Sequence, residues 1–221
     1  MSLKLNNQAK GGGGVKQDTI EIGTYPARLV RVIDLGLQAR KTYKGQEKPP
    51  AYMVSLTYEL LDVFMLDAEG NEDETKPRWI SEDIAIHHPS ADLAISTKRA
   101  KALDPENDQG YDLSAMVGAP CMITVVHKES KGKTYANIGN VTTMRAKDAA
   151  KAPELVNEPL VFDLDQPTLE KFNEVPQWLQ EKIKNNLEYK GSKLAELLGE
   201  DNDDDDRNLR PGDVEEEGEA W

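Results

Sequence analysis

The sequence predicts a mainly β domain with one helix in its middle, short helices after it and a disordered acidic end. Three observations lead there. Five separate stretches are rich in β-branched or alternating apolar residues. Gly, Pro, Asn and Asp punctuate the gaps between them. The acidic side chains pile up after residue 199.

Residues 1–19 hold four consecutive glycines, Gly11–Gly14, among polar neighbours, and read as a flexible arm. No Gly-Lys-Ser/Thr follows and no strand precedes, so this is a poor phosphate-cradling loop. The first strand is expected over 23–34, GTYPARLVRVID. Residues 35–50 are too polar and too Gly/Pro-marked for a core element. The second strand, over 51–63, is the clearest: Tyr52, Val54, Leu56, Tyr58 and Leu60 share one face, and Met53, Ser55, Thr57 and Glu59 the other. An acidic connection, 66–77, turns at Glu69-Gly70-Asn71. The third strand, over 78–87, places Ile80, Ile84 and Ile86 opposite Trp79, Ser81, Asp83 and Ala85.

Ser90 is placed to cap a helix over 91–103, with Lys98, Arg99 and Lys101 near its C-terminal end, where cations complement the helix dipole. Residues 119–127, APCMITVVH, form the fourth strand. A lysine-bearing loop, 128–134, follows, and the fifth strand runs over 135–144. Strand, basic loop, strand, strand, helix, strand, basic loop, strand is the order of a five-stranded OB-fold barrel, with the helix between strands three and four. The domain is expected over 20–147. Residues 148–199 read as a linker and short helices beginning near Pro167 and Pro176, which either pack on the barrel or contact a partner. Trp178, Leu179, Ile183 and Leu187 could form one apolar face there.

In an OB-fold the ligand face lies over strands two and three, flanked by the loops joining strands one to two and four to five. Those are the two most basic loops of this chain. The cations on offer for phosphates are Arg28, Arg31, Arg40, Lys41, Lys44, Lys48, Lys128, Lys131 and Lys133. The aromatics on offer for stacking are Tyr43, Tyr52, Tyr58, Trp79 and Tyr135. Tyr52 and Tyr58 share a face with apolar residues and can equally be core, whereas Trp79 lies in register with Ser81 and Asp83 on the polar face.

The 22 residues from Glu200 carry 11 acidic side chains against Arg207 and Arg210, a net −9 of the chain's −13. So little apolar surface cannot repay ordering entropy, so this tail is expected to be disordered. Asp203, Asp204, Asp205, Asp206, Glu215, Glu216 and Glu217 would steer it to a basic surface, with Trp221 as an aromatic anchor.

Other classes fit poorly. No apolar run approaches the ~20 residues that span a bilayer, and the N-terminus lacks a signal peptide's apolar core. Cys121 is a lone cysteine in an apolar run, which suits a buried thiol in a reducing cytoplasm. No cluster has zinc-ligand spacing, and no cofactor is expected. His87, His88 and His127 more simply end strands, and no nucleophile motif is present, so catalysis is not expected. The rival reading is an acidic adaptor or DNA mimic that binds a replication or host protein and leaves the basic loops idle.

The stretches TYPARLVRVIDLG, KPPAYMVSLTYELLD, KPRWISEDI, DLSAMVGAPCMITVVHKESKGKTYANIGNVTTM and FNEVPQWLQEKIKNNLEY resemble the single-stranded DNA-binding replication proteins of tailed bacteriophages, over roughly residues 20–190. The resemblance implies an OB-fold that coats single-stranded DNA during replication and recombination in a bacterial host cytoplasm. It also implies a tail that recruits DNA polymerase, helicase or other replication proteins. Tails of that family more often end in Phe; Trp221 is a departure. The family does not assign individual stacking residues.

Overall fold

A computed structural model describes residues 17–40, 42 and 45–200. The chain is mainly β. Five strands are antiparallel neighbours in the order β3-β2-β1-β4-β5: β1 (Gly23–Gln38), β2 (Ala51–Leu66), β3 (Glu72–Ala85), β4 (Pro120–Ser130) and β5 (Lys133–Thr143). β1 and β2 run past their expected ends and β3 begins at Glu72, ahead of the expected 78, because polar flanks pair as readily as apolar ones once a partner strand is present; β3 stops at Ala85, short of the expected 87.

The sheet does not close into the expected five-stranded barrel. Among the described residues no ladder joins β3 to β5, so the sheet is open at that seam. Helix α1 (Ile95–Leu103) bridges it. Arg99 Nε and Nη2 donate to the two carboxylate oxygens of Glu82 on β3 at 2.7 and 3.0 Å, and its Nη1 reaches Asn140 Oδ1 on β5 at 3.5 Å. The helix starts four residues later than expected. Ser90 does not cap it but bonds His88 Nδ1, and residues 91–94 form turns.

β1 is the strand that everything else meets. One edge pairs with β2 from Ala27 to Gln38, with bulges at Val30 and Leu35 that bend the strand. The second bulge relies on Gly36, whose φ is +68°; a Cβ there would meet Asn186 Cγ at 2.8 Å. The other edge pairs with β4 only from Gly23 to Arg28. Beyond that, β6 (Leu160–Phe162) adds in parallel at Arg31–Ile33. The segment expected as linker and helices therefore supplies a sixth strand.

That segment continues through α2 (Ala146–Ala149), which precedes β6, and then α3 (Leu169–Glu174), α4 (Gln177–Lys184) and α5 (Lys193–Leu198). Thr168 and Ser192 cap α3 and α5 through their side chains, and Gly199 ends α5 with a left-handed φ of 68°. The Trp178–Leu187 apolar face is corrected: Leu179 and Ile183 are buried, while Trp178 and Leu187 point to solvent.

Two cores result. Leu29, Val54, Leu56, Tyr58, Leu60, Ile80, Ile123 and Val125 fill the concave side of the sheet under α1. Ile33 and Leu35 on β1 pack with Phe162, Phe172, Leu179, Ile183 and Leu194 on the other side. In consequence both faces of β2 are covered: Ser55, Thr57 and Glu59, on its polar face, are buried as well.

The Arg99–Glu82 pair is 5% and 14% exposed at its two side chains. Replacing Arg99 with Ala strands a nearly buried carboxylate at the seam and is expected to cost about 3–5 kcal/mol in urea unfolding. A loss below about 1 kcal/mol would show that α1 does not hold β3 and β5 together through this contact.

Candidate nucleic-acid interface

The β4–β5 hairpin carries the first cluster of expected site residues. Lys131 and Gly132 turn the chain with φ values of 50° and 72°, the left-handed pair that a two-residue hairpin requires. Ser130 pairs with Lys133 and Lys128 with Tyr135. The predicted seven-residue loop is thus mostly strand. Lys128, Lys131, Lys133 and Tyr135 are all exposed, with Glu129 as the carboxylate among them. Tyr135 is 49% exposed, so its ring is half free for contact while its cross-strand partner is a cation.

Trp79 lies on the outward face of β3, as its register with Ser81 and Asp83 implied. The Arg31 guanidinium stacks over its ring at 4.5 Å, a cation–π contact, and Trp79 Nε1 donates to Glu59 Oε2 at 3.4 Å. Burial holds the Arg31 pKa below its ordinary value, with Glu174 partly opposing, and Arg31 Nε is a buried atom without a hydrogen-bond partner. This pair borders the segment that crosses the outward face of β2. There the buried Glu59 carboxylate accepts from Val156 N at 2.8 Å, Asn157 N at 3.2 Å and Asn157 Nδ2 at 2.6 Å.

A cleft of about 510 Å³ opens at the C-terminal end of β1, lined by Arg40, Lys48, His87, Asp83, Ile95 and Lys182, among others. Arg40 and Lys48 were anticipated from the basic loop. Lys182 was not, because it lies on α4, 99 residues from the Asp83 it bonds at 2.6 Å. No local pattern in the sequence could have placed it there.

Several expected residues are elsewhere. Tyr58 is fully buried in the concave core, where desolvation drives its pKa well above the ordinary phenol value; it is a core residue. Arg28 is also buried. Its Nε donates to Pro153 O at 2.7 Å, Nη1 to Gly118 O at 2.6 Å and Nη2 to Ala152 O at 3.2 Å, and Nη2 pairs with Glu154 at 3.4 Å. It fastens the C-terminal segment and is not presented to a ligand. Tyr52 is exposed, but its hydroxyl donates to Glu188 Oε1 at 3.0 Å, which raises its pKa, and it lines a cavity with Asp34, Asp165 and Glu188. That neighbourhood repels phosphate. Lys41, Tyr43 and Lys44 lie outside the described residues, as do Asp203, Asp204, Asp205, Asp206, Glu215, Glu216, Glu217 and Trp221.

Among the described residues no group of three or more His, Cys, Asp or Glu converges to hold a metal ion. Arg28→Ala leaves the three carbonyls that it joins, at 118, 152 and 153, without their donor. It is expected to lower stability by about 2–3 kcal/mol in urea unfolding and to leave the salt dependence of nucleic-acid binding unchanged. A changed salt dependence at unchanged stability would return Arg28 to the interface.

No family model matches the chain, and no curated protein matches it either.

Proposed function

We propose that this chain is a sequence-independent single-stranded DNA-binding protein acting in phage DNA replication and recombination, built on an OB-type sheet. The strand order β3-β2-β1-β4-β5 with a helix between β3 and β4 supports the OB-type reading, since that fold is a partly open Greek-key barrel. The observation that carries the function is the β4–β5 hairpin. Three exposed lysines and a half-exposed tyrosine project together from a chain whose net charge is −13. Lysines there neutralise phosphates and release counterions, and Tyr135 offers a base a face worth about 1–3 kcal/mol. Trp79, backed by Arg31, is the second stacking candidate. The acidic segment after Glu200 would recruit DNA polymerase, helicase or another replication protein and compete with DNA for the cations.

One observation favours the adaptor reading instead. The outward face of β2, where an OB-fold takes its ligand, is covered by the chain's own residues 153–157 and the helices after them. Under that reading the sheet is a scaffold and the acidic surface binds a protein.

Fluorescence anisotropy with labelled oligo-dT and a matched duplex, at two salt concentrations, separates the two. The full chain is expected to bind oligo-dT in preference to duplex, with affinity falling steeply as salt rises. A chain ending at Glu200 is expected to bind more tightly. Absence of oligo-dT binding by both chains would sink the DNA reading and leave the adaptor.

Replacing Lys128, Lys131 and Lys133 together with Gln should lower the slope of log affinity against log salt by about 2, at ~0.7 per phosphate contact on a single strand. An unchanged slope would remove the hairpin from the interface.

A further inference from the structure

The β4–β5 hairpin outgrows the ladder at its base. β4 pairs with β1 only as far as Gly23 with Val125, so among the described residues its edge from Val126 to Ser130 has no strand on the β1 side. A two-stranded ribbon by itself is marginally stable in water. What steadies this one comes from ahead of β1. His127 Nε2 donates to Ile20 O at 2.8 Å, across 107 residues of chain. Ile20 is 5% exposed and its side chain belongs to the concave core, so the carbonyl that His127 reaches is itself held in place.

Residues 17–22 are anchored at their other end as well. Gln17 Nε2 donates to Leu66 O at 3.0 Å, and Leu66 N donates to Gln17 Oε1 at 2.9 Å, at the end of β2. Between these anchors the Tyr25 hydroxyl donates to Glu21 O at 3.0 Å. A stretch without regular secondary structure thus straps the end of β2 to the base of the β4–β5 hairpin, with Ile20 as its plug. The arm expected over 1–19 is therefore tied down from Gln17 on.

The strap acts on one face of the hairpin and the ligand groups lie on the other. Side chains alternate along β4, so His127 shares the inner face with the buried Val125, opposite the half-buried Ala136. Lys128 points the other way, on the same side as its cross-strand partner Tyr135. Holding His127 from within fixes how Lys128 and Tyr135 are presented outward, and leaves their own surface open.

We infer that His127 is a positioning residue for single-stranded DNA: through its bond to Ile20, the strap of residues 17–22 holds the hairpin in the orientation in which Lys128 and Tyr135 meet phosphate and base. This rests on the single-stranded DNA reading above and deepens it. The rival role for an exposed histidine in a lysine-bearing hairpin is direct contact with a phosphate. Its Nε2 proton is already given to Ile20 O on the inner face, away from Lys128 and Tyr135, which favours positioning. A hairpin oriented before the ligand arrives leaves less ordering to be done on binding, so affinity rises without an added phosphate contact.

The test compares the full chain with its His127→Ala, His127→Phe and His127→Gln variants. Phe keeps a ring and loses the donor, whereas Gln returns an N–H donor. Oligo-dT binding is expected to weaken about tenfold in the Ala and Phe variants at an unchanged salt slope, and to recover to within about threefold of wild type in Gln. Amide hydrogen exchange should quicken over residues 126–136 in Ala and Phe and return to the wild-type rate in Gln. If the Ala variant does not fold, Phe against Gln decides. Wild-type affinity in both Ala and Phe overturns the inference. A salt slope lowered by about 0.7 makes His127 a phosphate contact and also overturns it. So does equal weakening in Gln, because the ring and not the bond would then matter. Each of these leaves the hairpin lysines standing as the DNA contact. No oligo-dT binding by wild type overturns the DNA reading and this inference with it.

Discussion

Along its 16 residues β1 presents backbone donors and acceptors on both edges, and β4 covers only the first part of one of them. A strand buried this deeply cannot leave those groups bare, since each unpaired buried donor or acceptor costs about 1–3 kcal/mol. β6 answers that constraint at Arg31–Ile33, and it must come from the C-terminal segment. Once β6 is paired, α3, α4 and α5 follow it onto the same side of the sheet and enclose Ile33 and Leu35 in a second core. The buried polar face of β2 and the position of Lys182 are downstream of that single pairing requirement.

Burying that face puts charged groups where water cannot solvate them, and each is answered by directed hydrogen bonds. Glu59 takes three donors from Val156 and Asn157, and Arg28 gives its donors to carbonyls at 118, 152 and 153. These two residues, on neighbouring strands, act as fasteners for residues 152–157. Arg99 does the equivalent task at the open seam. In an enclosed environment such contacts specify one arrangement because any slip leaves a charge unpaired. The lone thiol is the contrasting case: Cys121 has no partner to satisfy, and burial simply pushes its pKa up to about 12, so it stays protonated and inert.

The same covering act redistributes possible function. A ligand that would lie over β2 finds that face occupied, so among the described residues the expected site cations still open to solvent are those of the hairpin and of the cleft. Trp79 remains at the border, half-buried and stacked by Arg31. Tyr52 is lost to an acidic neighbourhood that residues from β1, the turn after β6 and the end of α4 build together.

Much of this architecture was legible in the residues. Strict alternation from Val54 to Leu60 identified the concave face of β2, and the same alternation put Trp79 outward on β3. Such alternation is a local signal, because successive side chains on a strand point to opposite faces whatever the strand packs against. The lysines of the expected 128–134 loop were likewise bound to be exposed, since a hairpin tip has nothing to bury them, although most of that loop proves to be strand. What no local pattern could decide was which polar residues would be covered. Arg28 was expected among the cations offered to phosphates, yet the fold buries it together with Glu59, and Lys182, which no motif singled out, enters the cleft. Those outcomes depend on where residues 148–199 return to the sheet, which is set by the free edge of β1 more than a hundred residues earlier. Sequence alone determined the five long strands and the alternation of their faces, because periodicity is local; tertiary structure alone decided the sixth strand and what covers those faces, because pairing and burial are contacts between distant segments.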